Sequence, residues 1–206
     1  INNRPCVIRN YNVGSKFRMK TIDFVLAGLG GQGILFMTRL LANTAFDKGY
    51  NVLGAETHGM AQRGGSVMSH LRMGDARSSL IRAGAADFLI STDEFEAYRY
   101  LPYLKKGGVL FANANPDSFP DERVAAFLKT NNIRVYSMEA TKKAVALGSP
   151  RSTNLAMVAF FAGFGLGPLS AEGLRNAVAT MSGKFKIGNL ELFEACYAIG
   201  TELGNG

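Results

Sequence analysis

Gly28, Gly30 and Gly33 stand in G-x-G-x-x-G spacing, with Gly31 as an extra glycine and Gln32 just before the last. Glycines at that spacing let the chain bend sharply and let a following helix pack close to a strand. They also let a ligand approach bare backbone N–H groups at the positive end of that helix. A nucleotide or phosphate-like ligand is therefore one reading of residues 28–33. Glycines that serve helix–strand packing alone are the other.

The flanking residues supply the elements such a turn needs. Ile22, Phe24, Val25, Leu26 and Ala27 form an apolar, partly β-branched run that predicts a buried parallel strand. A helix is predicted from about Gln32 to Lys48, with Ile34, Leu35, Met37, Leu41, Ala42 and Ala45 near one face. Residues 49–57 then read as a turn and a second strand ending at Glu56. A dinucleotide-binding fold meets a ribose hydroxyl with an acid at that place, so a stand-alone NAD-binding module is one function to test.

The next segment is polar and glycine-rich without being low-complexity: His58, Gly59, Met60, Ala61, Gln62, Arg63, Gly64, Gly65, Ser66. A cation at Arg63, polar neighbours at His58 and Gln62, and paired glycines suggest a surface that touches an anion or a partner. Residues 67–73 alternate as a half-buried strand, antiparallel and near an edge, with His70 facing polar surroundings. Two isolated histidines make no metal site.

Residues 87–91 predict another buried strand, after which Thr92 or Asp93 caps a helix with Glu94 and Glu96 in its first turn. That helix carries Phe95, Tyr98, Tyr100, Leu101 and Leu104 and stops at Gly107 and Gly108. Strands at 109–112 and 133–137 flank a helix at 121–131, so the alternation is that of an open, mixed α/β sheet. The last third is helical, over 140–147, 153–164, 170–181 and 189–203. The segment 153–164 is apolar almost all round, which makes it a buried or an interface helix, with Asn154 able to cap it.

At 206 residues, one α/β domain over 19–206 fits the length, with 1–18 as an N-terminal extension. The net charge of +7 invites a nucleic-acid partner. Arg4, Arg9, Lys16, Arg18 and Lys20, however, place much of it in the first twenty residues, and the rest is nearly balanced. A tail is the better reading, and nucleic acid is not expected. No apolar run is long enough to span a bilayer and no signal-peptide pattern opens the sequence, so the expected compartment is the cytoplasm. Cys6 and Cys196 make no C-x-x-C, which excludes a self-contained four-cysteine iron–sulfur cluster or structural zinc site.

A catalytic constellation cannot be assembled from these residues. There is no G-x-S-x-G, no Ser–His–Asp set, no cysteine beside a histidine and no phosphate loop of the G-x-x-x-x-G-K-[ST] kind. Neither does the helical tail offer the proton donor that a dehydrogenase wants. The sequence reads as part of a larger machine.

The two glycine motifs together, Gly28–Ile34 and Glu56–Val67, resemble the gamma subunit or domain of 2-oxoacid:ferredoxin oxidoreductases. The second is most similar to the small subunit of indolepyruvate:ferredoxin oxidoreductase, where a Thr-His-Gly-Met-Ala-Gln-Arg-Gly-Gly loop is typical. The likeness runs from about residue 20 to 190 and includes Asn154 and the Gly-Pro-Leu-Ser turn at 167–170. It implies a three-layer α/β/α, Rossmann-like domain. It also implies a complex that converts a 2-oxo acid, CoA and oxidised ferredoxin to acyl-CoA, carbon dioxide and reduced ferredoxin.

In that family thiamine diphosphate and iron–sulfur clusters sit on other, larger subunits or domains, and ferredoxin is met indirectly. The gamma part closes the active site and helps accommodate CoA. By the resemblance, Gly28, Gly30, Gly31, Gln32, Gly33, Glu56, His58, Gln62, Arg63, Gly64 and Gly65 are the expected cofactor-facing residues, with no catalytic residue and no metal. Isolated from its partners, the chain could form a homodimer through its apolar helix at 153–164.

Overall fold

The computed structural model describes residues 7–10, 19–57 and 64–205. Seven strands form one sheet in the order β1 (Val7–Asn10), β3 (Val52–Thr57), β4 (Ser66–Met73), β2 (Ile22–Leu29), β5 (Ala86–Ser91), β6 (Leu104–Asn113), β7 (Arg134–Met138). Strands β2, β5, β6 and β7 are parallel, while β4 runs antiparallel to both β2 and β3. The sheet is mixed, as the alternation of elements predicts. Residues 7–10, within the segment read as an extension, pair antiparallel to β3 at the edge.

Alternation along β2 explains the three layers. Phe24 and Leu26 point into a core shared with α1 (Ile34–Asp47) and the C-terminal helices. Val25 and Ala27 point to the other face, beneath α2 (Glu94–Tyr100) and α3 (Glu122–Thr130). A parallel strand buried on both faces has to be apolar at every position, and this one nearly is. On α1, Leu40 is buried and Leu35 is 36% exposed, so the apolar face is rotated from the one the sequence predicts. Thr38 and Thr44 fit that face because each hydroxyl donates to the carbonyl four residues back.

The helix predicted through residue 104 ends at Tyr100. Pro102 lacks an N–H and disfavours helix in the residue before it, and a single 3-10 turn (Leu101–Tyr103) leads directly into β6. Strand β6 therefore starts well before Val109 and takes in Gly107 and Gly108.

The C-terminal third is α4 (Ala140–Ala146), α5 (Thr153–Gly163), α6 (Ala171–Met181) and α7 (Lys186–Gly204). Every residue of α5 from Thr153 to Ala162 is buried. It lies between the sheet and α7, which approaches so closely that a Cβ at Gly200 would overlap the Phe160 carbonyl. That contact corrects one expectation: the face by which 153–164 would pair with a second copy is already covered by α7. Cys196 of α7 is enclosed in the same core, and burial pushes its thiol up to about 11. No helix among the described residues is long and apolar enough to cross a membrane.

Candidate functional site at the C-terminal ends of the parallel strands

The glycine turn joins the end of β2 to the start of α1, and its glycines meet more than one demand. A Cβ at Gly28 would overlap Thr92 Oγ1 and crowd Ile34 and Gln32, so strand and helix can pack this closely only around a glycine. Gly33 caps α1 at φ 75° beneath the Asn154 amide, which leaves no room for a side chain. Gly31 (φ 99°) and Gly64 (φ 88°) require the left-handed region, and a Cβ on either would find open space.

The two glycine motifs meet. The Gly30 N–H donates to the Gly65 carbonyl at 2.7 Å, and the Gly64 N–H donates to the Gly30 carbonyl at 3.2 Å. This pair extends the β2–β4 ladder, in which Leu29 lies opposite Ser66, beyond the end of both strands. Gly30, Gly31, Gly64 and Gly65 thus form a single backbone junction.

Side chains lock the turn from below. Gln32 Oε1 accepts from the Leu29 N–H and from Thr92 Oγ1, each at 2.7 Å. Asn113 donates to the Thr92 carbonyl and to Thr141 Oγ1, each at 2.9 Å. Thr141 is hydrogen-bonded to Thr153 (3.1 Å), and the adjacent Asn154 donates to the Gly33 carbonyl at 3.0 Å. A continuous belt therefore runs from the turn across β5 and β6 to the starts of α4 and α5, and back to the turn. Ser152 holds the cap position of α5 but makes no side-chain capping bond. Asn154 Oδ1 takes the Leu155 N–H in the first turn of α5 at 2.9 Å, while its Nδ2 fastens the start of α1.

On the other side of the junction, Ser66 Oγ donates to Glu96 Oε2 and lies 2.8 Å from the Tyr100 hydroxyl. Arg99 Nε donates to Glu96 Oε1 at 3.1 Å.

Glu56 is not where a dinucleotide needs it. In a dinucleotide-binding sheet the acid ends the strand beside the glycine-turn strand. Here β4 intervenes, placing Glu56 two strand spacings away, about 10 Å. The Glu56 side chain is buried on the face it shares with Val52, opposite Ser69. Three turn N–H groups, those of Leu29, Gly30 and Gln32, also donate within the protein rather than toward a phosphate. His58, Gln62 and Arg63 lie outside the described residues.

His70 corrects another expectation. It is 2% exposed, its Nδ1 accepts the Ile81 N–H at 3.3 Å, and its ring meets Tyr103 edge-on. Burial, and secondarily the Arg72 charge, lower its pKa, so it is a neutral core residue.

Sequence reasoning missed Thr92, Asn113, Thr141 and the inward role of Glu96. Thr92 and Asn113 carried a usable signal: polar residues that end apolar parallel strands sit at the edge where such folds bind ligands. Glu96 carried none, because an acid in a helix's first turn ordinarily faces solvent.

Residues 23–199, which take in the turn and this junction, match the family described as Pyruvate ferredoxin/flavodoxin oxidoreductase; the chain belongs to that family. It is 35% identical over 188 residues to the indolepyruvate oxidoreductase subunit IorB of Archaeoglobus fulgidus, covering 85% of this chain and 94% of that one. Its fold is that of the keto/oxoacid ferredoxin oxidoreductase gamma subunit of Geobacter sulfurreducens (TM-score 0.68, 20% identity, 88% of this chain and 99% of that one). The 2-oxoglutarate:ferredoxin oxidoreductase of Magnetococcus marinus, described with 2-oxoglutarate, coenzyme A and succinyl-CoA bound, matches 91% of this chain. The match takes in 31% of that chain (TM-score 0.70, 19% identity).

Proposed function

We propose that this chain is the gamma-type subunit of a thiamine-diphosphate-dependent 2-oxoacid:ferredoxin oxidoreductase. The enzyme converts a 2-oxo acid, CoA and oxidised ferredoxin to acyl-CoA, carbon dioxide and reduced ferredoxin. In this reading the chain has no complete catalytic set. Larger partner polypeptides hold thiamine diphosphate and the iron–sulfur clusters and receive ferredoxin, and this chain closes their active site and helps accommodate CoA.

The observation that carries the reading is the backbone pair joining Gly30 to Gly64 and Gly65. Two motifs far apart in sequence become one backbone edge, and Gly31 and Gly64 leave it bare of side chains. Such an edge lets a partner surface or an extended ligand lie directly against main chain while excluding water. Membership of the family supports the same reading, as does the CoA described with the Magnetococcus enzyme. The likeness to indolepyruvate oxidoreductase subunits supports an aryl-substituted pyruvate as substrate.

Arg63, with His58 and Gln62 as polar neighbours in sequence, is the residue we assign to anion contact. A guanidinium pairs both oxygens of a CoA phosphate or of a substrate carboxylate. In the assembled enzyme, Arg63→Ala is expected to raise KM for CoA or for the oxo acid about tenfold, the loss of one charge-assisted hydrogen bond. Ferredoxin reduction across a panel of 2-oxo acids is the readout. Unchanged KM for both substrates would remove Arg63 from the site.

A further inference from the structure

We propose that Glu96 is a positioning residue: its buried carboxylate holds Ser66, and through Ser66 keeps Gly64 and Gly65 paired to Gly30. The inference deepens the function proposed above, because the junction is the edge which that reading turns toward the partner.

Glu96 is 3% exposed. A carboxylate that deep has to be hydrogen-bonded, and its two oxygens take Ser66 Oγ and Arg99 Nε. The ion pair with Arg99 explains little, since that side chain is largely exposed and such pairs contribute weakly. An apolar residue at 96 would fill the space at least as well as an acid. What an apolar residue cannot do is accept the Ser66 hydroxyl.

Ser66 is the first residue of the junction with a side chain to hold. Gly30, Gly31, Gly64 and Gly65 have none, and glycine loses more backbone freedom on ordering than any other residue. The pair between Gly30 and Gly64–Gly65 therefore needs an anchor next to it in the chain. Ser66, gripped by Glu96 and by the Tyr100 hydroxyl at the start of β4, is that anchor.

Amide exchange measured by nuclear magnetic resonance on the folded chain tests this. Ser66→Ala is expected to speed exchange at the Gly30 N–H about tenfold and Glu96→Ala several-fold, since the Tyr100 hydroxyl still holds Ser66, with the double variant no faster than Ser66→Ala. Glu96→Gln, which keeps an acceptor oxygen, is expected to restore most of the protection. The Leu110 N–H in β6 serves as the control for global opening. In the assembled enzyme the same two variants are expected to raise KM while changing kcat little.

Unchanged Gly30 exchange in both single variants would overturn the proposal. So would a rise at Leu110 that matches the rise at Gly30, because the effect would then be global. Faster Gly30 exchange in a complex whose wild type oxidises no 2-oxo acid would sink the function proposed above and leave the anchoring role of Glu96 standing.

Discussion

Gln32 Oε1 and Thr92 Oγ1 lie 2.7 Å apart across the C-terminal ends of β2 and β5, and the same amide oxygen takes the Leu29 N–H. The helices after these two strands pack on opposite faces of the sheet, α1 on one and α2 on the other. Ligands of open α/β sheets enter the crevice at such a switch point. In this chain a side chain of the turn itself spans that crevice.

The bond has a consequence for stability and for binding. Gln32→Ala leaves the Leu29 N–H without its acceptor and the Thr92 hydroxyl with only the Ala27 carbonyl at 3.4 Å, at an expected cost of about 1–3 kcal/mol in urea unfolding. Fluorescence titration of the wild-type chain with NADH is expected to show no saturable binding. Micromolar binding would contradict the filled crevice.

The glycines divide into two kinds that mutation separates. Gly28→Ala forces a methyl into Thr92 and Ile34, and overpacking of that sort costs about 1–3 kcal/mol or more. Gly64→Ala meets open space and carries only the strain of its positive φ, about 1–2 kcal/mol. In the assembled enzyme the order is expected to reverse per unit of stability lost, with Gly64→Ala the more damaging to activity. Activity that simply follows thermal stability in both variants would mean that the bare edge touches nothing.

His70 makes stability depend on pH in one direction. Its folded pKa lies below the ordinary 6.5, mainly through burial, so the unfolded chain binds the extra proton first. The contribution is fully present above about pH 6.5 and is lost as pH falls through the folded pKa. His70→Asn keeps an acceptor for the Ile81 N–H without titrating there. The stability of the wild type relative to that variant is expected to fall on acidification from about pH 7.5 to 4.5. A difference that stays flat across that range would remove His70 as the cause.

The sheet was legible in the sequence because its central strands are apolar on both faces. Phe24 to Ala27 and Phe88 to Ile90 can be buried strands and little else. Strand β4 could be read as antiparallel from its alternation, but its insertion between β2 and β3 could not, since pairing order depends on contacts far apart in the chain. The misplaced end of α2 was avoidable, because Pro102 marks it. The two motifs were visible as motifs, whereas their junction is made of backbone bonds that no residue type announces. The belt through Thr92, Asn113, Thr141 and Asn154 consists of ordinary polar residues whose partners only the fold supplies. Asn154 shows the point well: near a helix start it resembles a cap, and its Oδ1 does take an N–H of that helix, but the bond from its Nδ2 to the Gly33 carbonyl of a different helix only the fold supplies.

The central claim, that this chain works as one subunit of a larger 2-oxoacid oxidoreductase, is tested most directly by purifying it from its native cells without oxygen. Its companions would be identified by mass and their cofactors by chemical analysis. The account predicts a stable complex with one or more larger polypeptides carrying thiamine diphosphate and iron–sulfur clusters, active in reducing ferredoxin with a 2-oxo acid and CoA. Recovery of the chain alone, with a nicotinamide dinucleotide bound to it, would contradict the account.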